Sequence, residues 1–128
     1  MFSHVMVGTR DLDRAAAFYD AVLAPLGIER VKSKYPNWAA WHRPGETEKF
    51  WVGKPFDGRP ASTGNGSMTA FAAPSRVAVD AAHAAAIAAG GLDEGPPGPR
   101  AHYAPDYYGA YVRDLDGNKL HFVRRDDV

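Results

Sequence analysis

The chain repeats one structural plan at an offset of 64 residues. Asp11 and Ser75, each placed to cap a helix, are that far apart, and so are Gly27 and Gly91, which end those helices. Glu29 and Asp93, just beyond the helices, keep the same offset. Self-similarity over this distance marks a duplicated supersecondary unit, so the two halves are expected to fold alike. In the first half, residues 2–7 read as a strand. A helix follows, because Ala15, Phe18, Tyr19, Val22 and Leu23 recur at three- and four-residue spacing behind the Asp11 cap. Pro25 and Gly27 close it, and strands are expected at 28–31, 38–41 and 49–52, the last two parted by the turn-forming Arg43-Pro44-Gly45. In the second half the same order appears: a strand at 67–72, a helix from Pro74-Ser75 to Gly90-Gly91, then a Pro- and Gly-rich strand or loop at 92–100. A hairpin ends the chain, its arms lying within 102–123 and meeting at Asp116-Gly117, a dipeptide that accepts positive φ.

The plan is therefore β-α-β-β-β twice, with modules at about 1–57 and 66–125 and a glycine-rich linker at 58–65, in a single domain of 128 residues. A chain of this length typically buries about two-thirds of its unfolded surface, enough for a real core. Fifteen basic residues balance fifteen acidic ones, so the broad positive field that attracts nucleic acid or anionic lipid is not expected. No apolar run approaches the roughly 18 residues of a membrane span. With zero cysteines there is neither a disulfide nor a thiolate ligand or nucleophile. The first residues lack a basic stretch leading into an apolar one, which makes the cytoplasm the expected compartment. A small neutral or amphipathic molecule is the partner this balance favours. No Gly-x-Ser-x-Gly elbow and no phosphate-cradling glycine motif is found.

Two stretches carry a resemblance. Ser3-His4-Val5, followed by Asp11-Leu12-Asp13-Arg14-Ala15-Ala16-Ala17-Phe18-Tyr19, and Tyr107-Tyr108-Gly109-Ala110-Tyr111-Val112-Arg113-Asp114, leading into Asp116-Gly117-Asn118, resemble the vicinal oxygen chelate superfamily of glyoxalase I, bleomycin-resistance proteins and extradiol dioxygenases. The resemblance covers essentially the whole chain. It implies an α+β fold in which two tandem βαβββ modules form a curved mixed sheet around a cleft, often completed by homodimerisation. It also implies one divalent metal (Zn, Fe, Mn or Ni) held from the first and last strands of the modules. His4 matches the first-strand histidine. Its counterpart 64 residues on is Met68, where metal-binding relatives usually place a second histidine, and the usual last-strand glutamate is replaced by His121. Divalent centres need about three nitrogen or oxygen ligands, and a thioether favours Cu(I) instead. Glu48 is the candidate third ligand, with His42 and His102 as alternatives.

Each candidate also has a structural reading. His4 alternates with Phe2 and Met6, and His121 shares a face with Lys119 and Val123, so either is a cleft residue or an ordinary member of a sheet face. His83 lines up with Val79 and Ile87 on a helix and reads as packing. Glu48, beside Glu46, reads equally as a solvated charge. Trp38, Trp41, Phe50, Trp51, Tyr103, Tyr107, Tyr108 and Tyr111 lie in or beside strands, where alternation turns about half of them inward to the cleft. Trp38, Trp51, Met68, His102, Tyr103 and Tyr108 are the ligand-binding candidates. The expected function is the binding of a small molecule in an aromatic-lined cleft without a complete metal site. The alternatives are a metal-dependent lyase, isomerase or dioxygenase using His4 and His121, and a protein-interaction module.

Overall fold

The computed structural model describes residues 1–126. Strand β1 (His4–Gly8) leads into helix α1 (Leu12–Leu23), which a short 3-10 turn (Ala24–Leu26) closes before β2 (Glu29–Val31), β3 (Trp38–His42) and β4 (Lys49–Gly53). The second module repeats this with β5 (Thr69–Ala72), α2 (Arg76–Ala88), β6 (Leu92–Pro99), β7 (Tyr108–Arg113) and β8 (Lys119–Arg124). Each module makes one four-stranded mixed sheet. The orders are β1-β4-β3-β2 and β5-β8-β7-β6, with the first and last strands of each module parallel and the other pairs antiparallel. The fold is thus α+β, with two mixed sheets and two helices.

Local chemistry sets the boundaries. The carboxylate of Asp11 accepts from Arg14 N–H and the hydroxyl of Ser75 from Ala78 N–H, so both helices begin with a side-chain cap that satisfies a free donor. Gly27 ends the first helical segment at φ 74°, where a β-carbon would be strained. The Pro- and Gly-rich stretch after α2 is a strand, β6, whose pairing with β7 slips twice, between Asp93 and Gly95 and again between Gly95 and Gly98. Pro96 and Pro97 lie within the second slip and have no N–H to give the ladder.

Alternation divides each sheet into two faces. On the helix side, Phe50 and Val52 of β4, Trp41 of β3, Phe71 of β5 and Leu120 and Phe122 of β8 join Phe18, Tyr19, Val22 and Leu23 of α1 and Val79, Ala82 and Ala86 of α2 in one core. The core crosses from module to module: the rings of Phe50 and Phe71 meet edge to face at 5.0 Å. The β7–β8 turn fastens the second module onto the first. Asn118 Nδ2 donates to Gly8 O at 2.9 Å, and the Asp116 carboxylate accepts from Thr9 Oγ1 at 2.6 Å and from Arg10 N at 2.8 Å. The opposite face of each sheet is left without a helix.

Candidate functional site

The helix-free face of the first sheet holds an aromatic cavity of about 520 Å³, lined by Ser3, His4, Met6, Tyr35, Trp38, Thr47, Lys49 and Trp51. His4 and Met6 of β1 pair with Lys49 and Trp51 of β4, so period-two alternation places all four on one face. Tyr35 lies at 5.6 Å from Trp38 and 6.0 Å from Trp51, both tilted contacts. Trp38 is fixed in two ways. Its Nε1 donates to Lys54 O at 2.9 Å, and its ring lies across Gly53, where a β-carbon would come within 1.9 Å of the indole. His4 Nδ1 is 2.9 Å from Ser3 Oγ, and Nε2 has no hydrogen-bond partner among the described residues.

The helix-free face of the second sheet is built differently. Met6 pairs with Trp51 in the first module and Ala70 with His121 in the second, so His121 occupies the place of Trp51. It is fully buried. Its Nδ1 lies 2.9 Å from Ala110 O, which can only accept, so that nitrogen carries the proton. Nε2, at 2.7 Å, then accepts from the Tyr107 hydroxyl. The imidazole stacks face-on with Tyr111, centroids 4.0 Å apart and planes within 7°. Burial, opposed by the Ala110 carbonyl and reinforced by Arg100 and Lys119, lowers its pKa, so the ring is held neutral. Burial and the hydroxyl of Tyr103 push the Tyr111 phenol up to about 12. Above Tyr111 opens a second cavity, of about 560 Å³, whose lining includes Met68, Arg100, His102, Tyr103 and Lys119.

The sequence candidates therefore separate into two groups. Trp38, Trp51 and His4 line the first cavity; Met68, His102 and Tyr103 line the second; no residue lines both. Tyr108 lies at neither. It shares the parity of Ala110 and Val112, so it turns to the helix side, where its hydroxyl donates to Asp80 at 2.6 Å and Arg76 sits 5.0 Å from its ring. Glu48 lines a third, apolar cavity between β4 and β5, together with His42. Tyr35, Met6 and Lys49, which are not among the sequence candidates, also line the first cavity. Pairing His4 with β4 in register would have found Met6 and Lys49, whereas Tyr35 comes from a loop with no periodic signal.

His4 and His121 stand on strands of different sheets: His4 lines one cavity, and His121 lies beneath Tyr111 beside the other with both ring nitrogens engaged. Among the described residues, no three His, Asp or Glu side chains cluster closely enough to hold an ion. The donor set does not fit a three-ligand divalent centre, because Met68 is a soft thioether and His121 would have to give up the Tyr107 hydroxyl to bind a metal.

No curated protein matches the chain. Among solved structures, it is similar to a glyoxalase/bleomycin resistance protein from Albidiferax ferrireducens T118, at 45% identity over 98% of this chain and 99% of that one, with a TM-score of 0.87. Two others share the fold. A glyoxalase-related enzyme from Fulvimarina pelagi is 19% identical (TM-score 0.74, 98% of this chain and 88% of that one), and lactoylglutathione lyase from Agrobacterium tumefaciens is 20% identical (TM-score 0.66, 97% and 92%). A family model matches residues 1–122. With that match and the doubled βαβββ plan, the chain belongs to the Glyoxalase/Bleomycin resistance protein/Dioxygenase superfamily.

Proposed function

We propose that the protein is a cytoplasmic homodimer that binds a small planar or amphipathic molecule in the aromatic cavity of the first sheet, without a metal. The observation that carries this reading is the group of Tyr35, Trp38 and Trp51 around one open cavity, with Trp38 pinned by Lys54 O and by the space above Gly53. Rings held in place before the ligand arrives lose little freedom on binding. Each aromatic contact adds about 0.5–1.5 kcal/mol beyond the apolar area it covers. Lys49 and His4 sit at the same cavity as polar groups able to orient a bound molecule. The homodimer is supported by the sheet edges: β1 and β5 are both outer strands with one edge free, and Phe2, Val5, Met6 and Met68 are exposed on or beside them.

The alternative reading, a metal-dependent lyase, isomerase or dioxygenase, draws on the shared fold of lactoylglutathione lyase. The donor set around His4 and His121 argues against it. A thermal-shift panel of flat aromatic compounds tests the proposal: at 100 times Kd a true ligand adds about 2.7 kcal/mol of stability. Trp51→Ala should remove the shift. A broad panel that gives no shift, or shifts that Trp51→Ala leaves intact, would refute it. Zinc or manganese binding at stoichiometric level would favour the alternative.

A further inference from the structure

The cavity over Tyr111 has a chemistry the aromatic cavity lacks. We propose that it is an anion subsite for a small aromatic carboxylate, whose ring lies beside Tyr103 and Tyr111 and whose charge is met by Lys119 and Arg100. Three cationic side chains line it, Arg100, Arg113 and Lys119, against one carboxylate, Glu94. Glu94 is already committed, since its Oε1 accepts from Arg113 Nε at 2.8 Å. Two positive charges are left over on a chain whose net charge is zero.

Neither of them finds a counter-ion among the described residues. Lys119 Nζ lies 5.3 Å from the Tyr111 centroid and Arg100 Cζ 5.7 Å from it. A ring face attracts a cation but supplies no formal charge. Arg100 gives three of its five N–H groups to the carbonyls of Pro96, Gly98 and Pro99, which orders its own loop and leaves two donors over. The guanidinium is thus set in place while its charge stays available. Beneath Tyr111, His121 is held neutral partly by these same cations, as expected where their field is not cancelled. The ring half of the site comes from Tyr103, which is 60% exposed with His102 at 4.1 Å. An aromatic carboxylate matches this combination, because charge-assisted hydrogen bonds to carboxylate are stronger than neutral ones and the ring covers the exposed phenol.

The test is calorimetric titration with 1-naphthoate, its neutral isostere 1-naphthamide and inorganic phosphate. It is run on the wild type and on a Trp51→Ala background that removes the aromatic cavity of the first sheet, so failure of either reading shows separately. Naphthoate should bind about 10-fold more tightly than naphthamide, Lys119→Gln should abolish that preference, and Lys119→Arg should restore it. Glu94→Gln, which frees Arg113, should strengthen naphthoate binding several-fold. Equal binding of acid and amide, or a preference unchanged in Lys119→Gln, would overturn the proposal. Phosphate binding as tight as naphthoate would overturn its aromatic half.

Discussion

Gly109 decides how His121 sits. A β-carbon at that position would come within 2.5 Å of His121 Cε1, so the imidazole can lie across the β7 backbone only because the side chain there is absent. Gly109→Ala is expected to push the ring off Tyr111 and to cost about 1–3 kcal/mol in urea denaturation, the usual price of overpacking a filled site. The buried imidazole also ties stability to pH. Its folded-state pKa lies below the ~6.5 of an unfolded histidine, so the native state binds fewer protons than the unfolded chain. Its contribution is complete above about pH 6.5 and is lost as pH falls toward the folded value, at up to about 1.4 kcal/mol per pH unit. His121→Phe keeps a ring against Tyr111 without the titrating group. Its melting temperature should therefore fall less than that of the wild type between about pH 7 and pH 5.

At the scale of elements, the contact that matters most is between α1 and the β7–β8 turn. Asp114, almost wholly buried, accepts from Tyr19 Oη at 2.5 Å, from the N–H groups of Asp116 and Asn118, and from Asn118 Nδ2. Burial first, and then the Asp114 carboxylate, drive the Tyr19 phenol well above its usual pKa, so it remains a donor. Tyr19→Phe would leave a buried carboxylate one donor short and should cost about 1–3 kcal/mol in chemical denaturation. The caps that start both helices and the glycine that ends the first were legible because they act within a few residues of themselves. The slipped pairing of β6 was not: Pro96 and Pro97 say that a ladder is interrupted, but only the partner strand decides whether pairing resumes. The face Tyr108 takes was not legible for a related reason, since it depends on register with β8 and the position of α2.

Across the whole molecule, the doubled plan could be read from the 64-residue offset because each module carries its own caps, turns and apolar periodicity. The candidate site was only half legible. Alternation placed His4 and Trp51 on strands, yet nothing local said that Tyr35 would close over them, or that His121 would be sealed under Tyr111 on a different sheet. If the exposed β1 and β5 edges meet a second copy, light scattering should give a dimer, and Val5→Lys together with Met68→Lys should shift it toward monomer. The reading of the first sheet as the binding face depends on which tryptophans the ligand touches. Of the three, Trp38 and Trp51 line the cavity, whereas Trp41 is fully buried with its Nε1 donating to Asp20. The most direct measurement is the indole N–H region of a ¹⁵N–¹H correlation spectrum, assigned by single Trp→Phe changes and titrated with a compound that raises the melting temperature. The Trp38 and Trp51 resonances should move to saturation while that of Trp41 stays fixed; a saturable ligand that leaves Trp38 and Trp51 unmoved would contradict binding at the first sheet.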